Sequence, residues 1–398
     1  MTSNYKYSAP VLWYIVPLLY SLYYFQGVVY SRGPISLISI TLLLLIGAYC
    51  CARTFFMDKT RPRPLIIILV LVLLITFSYL ISPKIVISRN SLFPLGTFGH
   101  YKEFMVFFLA IFTGYQTGLK GSLRGKQLII CCFVFFALAV LQFYRISATL
   151  AEEFHRDEVT NNSAYFFVAV MPFFILLLKE KKILGWLLIA VSVCAITYTF
   201  KRGAIIVSAI ILLYISLAGG SKNKISLKGV LFAAIIMGIA VAFFLHFMES
   251  SEYMTQRVMD TMEGNSSARD RLYTDLWEKW LNSDLFHQIF GYGISQTVTY
   301  ADNYAHNDWL ELLIDFGLLG AFLYASILIS LFRYRRYLGY DKWSKICYTS
   351  IMLIWVMKTL FSMGIGIPEG LTIILLGSLI GDSVRHRKRS FETRVLQS

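Results

Sequence analysis

The chain has 398 residues, of which 57% are hydrophobic and only 15% charged, with a formal net charge of +14. A soluble domain of this size could not hide that much apolar surface from water, so lipid must solvate much of the chain. The basic excess invites a nucleic-acid reading, but its distribution among the connections argues against one.

Apolar stretches fall near 10–30, 34–52, 64–82, 103–119, 128–147, 162–178, 183–200, 204–218, 228–247, 307–332, 346–363 and 367–383. Each is about long enough to cross a ~30 Å hydrocarbon layer as a helix. In lipid, only helices and closed barrels satisfy the backbone, and a run such as Leu65 to Leu74 lacks the alternation of a barrel strand. The expected fold is all-α, a single polytopic membrane domain over residues 1–398 with about twelve transmembrane helices. The first stretch is long enough to span and stay, and no repeat period, low-complexity tract or cleavable signal peptide is visible.

Orientation follows from the basic residues. Arg53, Lys59, Arg61 and Arg63 form one cluster; Lys120, Arg124 and Lys126 the next; then Lys179, Lys181 and Lys182; then Lys222, Lys224 and Lys228. Arg333, Arg335, Arg336, Lys342 and Lys345 follow, and the tail adds Arg385, Arg387, Lys388 and Arg389. These clusters alternate with poorly basic connections, so with about twelve spans every cluster lands on one side, the cytoplasm, together with both termini. The opposite face then carries segments 83–102, 148–161 and one large loop at 249–306. Within that loop Leu272, Leu276 and Trp280 recur every fourth residue, as do Tyr273, Trp277 and Leu281, the pattern of an amphipathic helix lying on the membrane.

The six cysteines sit in or at the edge of apolar segments without zinc-ligand spacing, and read as helix-packing residues. No Walker loop, HExxH, GxSxG or acidic metal cluster marks the outer face, so neither a metal nor a cofactor is expected.

Chemistry concentrates on the outer side. Lys201-Arg202-Gly203 makes an abrupt turn between two spans, either an interfacial anchor or an anion site in which paired, charge-assisted bonds hold phosphate oxygens. Arg269 and Arg271 stand at the start of the amphipathic helix behind Ser266 and Ser267, where free N–H groups also favour anions. His306-Asn307 ends the loop as a span begins. An imidazole there can take a proton from a hydroxyl, although a lone histidine at a helix start is more often a cap or packing residue. Leu310, Leu313, Ile314 and Gly317 follow at helical spacing with Glu311 and Asp315 among them, and Gly317-Leu-Leu-Gly320 suits a closely approaching helix. Lys102, Glu103, Arg145, Lys358 and Glu369 lie in or near spans. Each is a functional candidate or half of a structural ion pair.

Three segments taken together resemble the membrane family of O-antigen ligases and polymerases. His306-Asn307-x-x-Leu310-x-x-Leu313-x-Asp315-x-Gly317-x-x-Gly320 matches that family's loop-to-helix signature. Arg269-x-x-x-Tyr273 leading to Gly291-Tyr-Gly293 resembles its "Arg, aromatic, then G-x-G" stretch. Tyr198-Thr-Phe-Lys-Arg202-Gly-Ala204 resembles its Ser-Arg-Gly-Ala turn with lysine in the serine position, and Asn161-Asn162 fits its Asn-rich start. The resemblance covers roughly residues 160–320. It implies a metal-independent glycosyltransferase whose donor is a glycan on undecaprenyl diphosphate, presented at the outer face of the bacterial inner membrane. The acceptor would be a sugar hydroxyl on lipid A–core or on another lipid-linked repeat. His306 would be the general base. Arg202 and Arg269, supported by Arg271 or Lys358, would hold the diphosphate, with Asn307, Asp315 and Lys201 supporting. Spacing to Tyr273 favours Arg269 over Arg271 without deciding between them. A transporter or flippase of lipid or polysaccharide, and a non-catalytic assembly protein, stay open as other readings.

Overall fold

The structure, a computed structural model, describes residues 11–25, 33–84, 86–87, 95–154, 162–199, 201–220, 230–231, 233–238, 241–242, 259, 269–301 and 304–395. Its long helices are α1 (Leu12–Phe25), α2 (Pro34–Phe56), α3 (Arg63–Ile81), α4 (Thr97–Lys120), α5 (Gly125–Phe154), α6 (Ala164–Glu180), α7 (Lys182–Tyr198) and α8 (Arg202–Ala218). After a gap in the described chain come α9 (Arg269–Leu281), α10 (Leu285–Phe290), α11 (Gln296–Ala301), α12 (Asp308–Tyr334), α13 (Lys342–Phe361) and α14 (Ile367–Val395). Every expected apolar stretch but the ninth is occupied by one of these helices. Half of the ninth, 228–247, lies outside the described residues, and its described residues are helical; most of 249–268 and the Ser266 and Ser267 cap also lie outside.

Among the described residues the regular structure is therefore helical apart from a two-residue antiparallel ladder, in which Val86 pairs with Gly96 and Ile87 with Leu95. Among the described residues, five helices are long and apolar enough to cross a membrane: α2, α3, the Gly125–Ala148 part of α5, Asp308–Leu338, and the Ile367–Thr393 part of α14. Three shorter helices, α1, α7 and α8, are apolar as well. The most apolar stretch of α14 is 94% buried, whereas those of α2 and α3 are only 39% buried. Aliphatic faces left open on such helices require a non-aqueous solvent.

The central packing is α4 against α14. Gly114 and Gly118 on one helix and Gly377 and Gly381 on the other bring the backbones together. A Cβ at Gly114 would lie 1.9 Å from the Ile374 carbonyl oxygen, and one at Gly381 2.2 Å from that of Tyr115. Small residues at four-residue spacing permit this approach without hydrophobic driving force between lipid-bathed helices.

The basic connections gather at one end of the bundle. Tyr115 donates to the Thr60 carbonyl at 2.8 Å, Gly125 N–H to Glu180 at 2.8 Å, and Lys179 to Asp341 at 2.9 Å. Ser122 and Tyr340 both donate to Asp382, at 2.7 and 2.8 Å, and Lys342 reaches the Gly220 carbonyl. The α9–α11 segment lies elsewhere. It packs on α12, and Gly293 sits against Ser82 at the end of α3.

Candidate functional site

Asparagine after a loop is a strong helix starter, and Asn307 caps α12 by accepting from Trp309 N–H at 2.9 Å and Leu310 N–H at 3.2 Å. One residue earlier, His306 has φ 52°, a left-handed backbone uncommon for any residue but glycine and a frequent mark of a constrained functional position. The hydroxyl of Tyr273, on α9, donates to its carbonyl at 3.4 Å.

Ten residues into α12 the helix breaks at Gly317 (φ 63°, ψ −162°). The kink releases carbonyls that a continuous helix would use, and Tyr292 and Gly293 N–H groups bond those of Ile314 and Asp315 at 2.8 and 3.0 Å. Gly291 and Gly317 touch here: a Cβ on Gly291 would come within 2.4 Å of Asp315, and one on Gly317 within 2.4 Å of Ile289. The neighbour that the small-residue pair admits is thus the short α10 and its G-x-G exit. Gly320 instead faces Phe316 of its own helix.

Two buried carboxylates then hold the loop. Asp315 accepts from Ser295 N–H at 2.8 Å and Gln296 N–H at 2.9 Å; Glu311 accepts from the Thr297 hydroxyl and from Ala305 N–H at 2.7 Å. His100, on α4, lies between them, with Nδ1 3.1 Å from the Ser295 hydroxyl, and 3.6 Å from Asp315, and Nε2 3.8 Å from Glu311. One potential ligand atom from each of these three residues lies within 4.8 Å of the others. Every carboxylate oxygen in the trio already accepts a protein hydrogen bond, the pattern of a loop clamp.

Cations converge above this frame. Burial first, and then the positive charges of Arg269 and Lys201, hold the His306 imidazole down to about 4, so it is neutral near pH 7. Lys201 Nζ lies 5.9 Å and Lys358 Nζ 4.4 Å from the centre of the Tyr165 ring, on the first turn of α6. Tyr165 also bonds the Ser362 side chain and feels the charge of Arg269. His306, Arg269, Lys201, Lys358 and Tyr165 therefore share one neighbourhood although they come from α6, α8, α9, α13 and the loop before α12.

Residues 187–325 match the O-antigen ligase family. The match runs from α7 to the middle of α12, so it takes in Lys201, Arg202, Arg269, Arg271, His306, Asn307 and Asp315 and leaves out Tyr165 and Lys358. Among curated proteins none matches the chain.

Within the matched region the arginines separate. Arg269 shares a face of α9 with Tyr273 and Leu276, the latter 1% exposed and packed with Ala305 and Ile314. Arg271 is two residues on, about 200° around the helix, and exposed. Arg202 is the exposed first residue of α8, while its neighbour Lys201 is half-buried and acts on His306. Lys358 is buried and ion-paired with Glu369, which is the structural alternative recognised for it from sequence. Asp315 supports the loop through the Ser295 and Gln296 N–H groups. Sequence reasoning missed Tyr165, His100 and Thr297, which carry no mark beyond being polar groups near apolar segments, and Asp308, which accepts from Tyr324 at 2.6 Å and Gly364 N–H at 2.8 Å. An acidic residue at the mouth of a span was the available signal for Asp308.

Proposed function

We propose that this chain transfers a glycan from an undecaprenyl diphosphate donor to a sugar hydroxyl of lipid A–core at the outer face of the bacterial inner membrane. The family match carries ligase- or polymerase-like glycan transfer. The observation that supports the chemistry best is a neutral histidine on a constrained backbone under the charges of Arg269 and Lys201.

In this mechanism His306 takes the proton of the acceptor hydroxyl as its oxygen attacks the anomeric carbon. The bond from that carbon to the diphosphate oxygen breaks, and its electron pair leaves with the lipid diphosphate. Arg269 and Lys201 hold the departing charge, with Arg202, Arg271 and Lys358 as further cations around the path. One cation at ~4 Å and an effective dielectric near 20 gives about 4 kcal/mol of attraction before desolvation, and only its excess in the transition state speeds the reaction. General-base help is worth about 10²–10⁴-fold. The donor's diphosphate bond supplies the driving force and the protein cations the charge compensation, so this reading needs neither metal nor nucleotide.

The gathered basic connections mark the cytoplasmic end under the positive-inside rule. About twelve crossings put both termini there and the 249–306 loop outside, with residues 1–398 as one membrane domain.

A complementation experiment tests the reading. The gene is deleted and restored as wild type, Arg269→Ala, Lys201→Ala or His306→Ala, and the surface glycan is separated on a gel. We expect loss of polymer from lipid A–core with lipid-linked chains accumulating. Full rescue by His306→Ala and Arg269→Ala together would sink the proposal. Shortening of chains to single repeats would assign the alternative, an O-antigen or capsular polysaccharide polymerase. A polysaccharide or lipid transporter predicts flux without a glycan product.

A further inference from the structure

Alongside α9 runs an open groove of about 490 Å³, lined by Tyr273, Thr274, Trp277, Glu278, Leu281 and Leu310. From Tyr273 to Leu281 it covers about 12 Å of helix, roughly the length of two sugar rings. One end is fixed to the candidate site: the Tyr273 hydroxyl bonds the His306 carbonyl, and Leu310 stands one turn after His306. The floor is a rigid aromatic platform. Trp277 is 46% exposed, and its ring centre lies 5.2 Å from that of Trp280, whose indole N–H donates to the Gln288 carbonyl at 3.2 Å.

Among the described residues, the only charged one lining the groove is Glu278, whose side chain is exposed. A carboxylate there repels a diphosphate, which the cations around Tyr165 and His306 suit instead. A pyranose fits: its C–H face packs on an indole or phenol ring while its hydroxyls donate to a carboxylate.

We infer that the α9 groove is a saccharide subsite that holds the acceptor glycan, Trp277 as the stacking platform and Glu278 as the hydroxyl acceptor, and feeds its hydroxyl end to His306. This rests on the glycan-transfer reading above and adds the binding class of a second site.

The test uses the full-length protein in lipid nanodiscs. Binding is measured by isothermal titration calorimetry with oligosaccharide released by mild acid from the host's lipid A–core, and separately with its released surface repeat unit. We expect one of the two to bind, Trp277→Ala and Glu278→Gln to weaken binding about tenfold, and Trp277→Phe to stay within about threefold. Acceptor KM should rise in the same proportion with donor KM unchanged. Glu278→Gln is a conservative change at an exposed position and keeps the test valid if Trp277→Ala fails to fold. Equal affinity in the variants, or no binding of either oligosaccharide, overturns the inference. So does quenching of Trp277 by brominated lipid that the oligosaccharides do not relieve, which assigns the groove to lipid. Transfer surviving in His306→Ala defeats the catalytic reading instead, and saccharide binding reports independently of it.

Discussion

Glu311 accepts the backbone N–H of Ala305 at 2.7 Å, which anchors the residue directly before the left-handed His306 from one turn inside α12. The same carboxylate takes the Thr297 hydroxyl and lies 3.8 Å from His100. His306 is thus held in place through a carboxylate that bonds the residue before it.

Removing that clamp should hurt geometry before chemistry. Glu311→Ala leaves two buried donors without an acceptor, at about 1–3 kcal/mol each, and should lower the melting temperature of the detergent-purified protein by several degrees. Glu311→Gln keeps an acceptor oxygen and should recover most of the stability. If Gln and Ala behave alike in both melting and transfer rate, Glu311 does not position His306.

The charge environment of His306 predicts a direction in pH. Burial, Arg269 and Lys201 lower its pKa to about 4, so the neutral, proton-accepting form persists well below the ordinary histidine range. Removing one cation weakens that depression, so the acid limb of the kcat/KM profile should move to higher pH in Arg269→Ala and in Lys201→Ala. If a diphosphate donor binds these cations it neutralises them, so the kcat profile of the donor complex should then lie at higher pH than that of the free protein. A limb that stays put in both variants would separate the cations from the imidazole.

The interlocked glycines should tolerate nothing larger. Gly291 and Gly317 both adopt backbone conformations that are essentially confined to glycine, and a Cβ on either meets the other's strand of backbone at 2.4 Å. Gly317→Ala should cost about 3 kcal/mol or more and abolish a monodisperse size-exclusion peak. Gly125→Ala is the control: φ is +59° there too, but a Cβ would meet nothing within 4 Å, so the cost should stay near 1–2 kcal/mol. Equal losses at the two positions would show that the contact between α10 and α12 does not matter.

Lys358 can be separated into partner and ligand. Lys358→Met alone strands the buried Glu369 carboxylate, at about 3–5 kcal/mol, whereas adding Glu369→Leu should restore the melting temperature. Donor KM should remain raised in the stable double variant if the ammonium over Tyr165 also meets the diphosphate. A donor KM equal to wild type assigns Lys358 to structure alone.

The helices were legible in the residues, because apolar runs of membrane length have one low-energy form in lipid. The Leu272, Leu276 and Trp280 spacing likewise marked α9, and His306, Arg269 and the G-x-G pair stood out as polar or flexible residues where neither is cheap. Helix ends were less legible: α4 begins at Thr97 and brings His100 into the frame, and α5 continues to Phe154 through residues that read as loop. The sequence by itself determined the helical class and singled out His306, Arg269 and Lys201 as candidates, since both depend on local composition and period. Only the tertiary structure decided that Arg269 rather than Arg271, and Lys201 together with Arg202's neighbourhood, faces the histidine, that Lys358 is paired, and that Tyr165 lies among them. Those facts depend on how distant helices rotate and pack, which the short-range pattern of a chain does not specify.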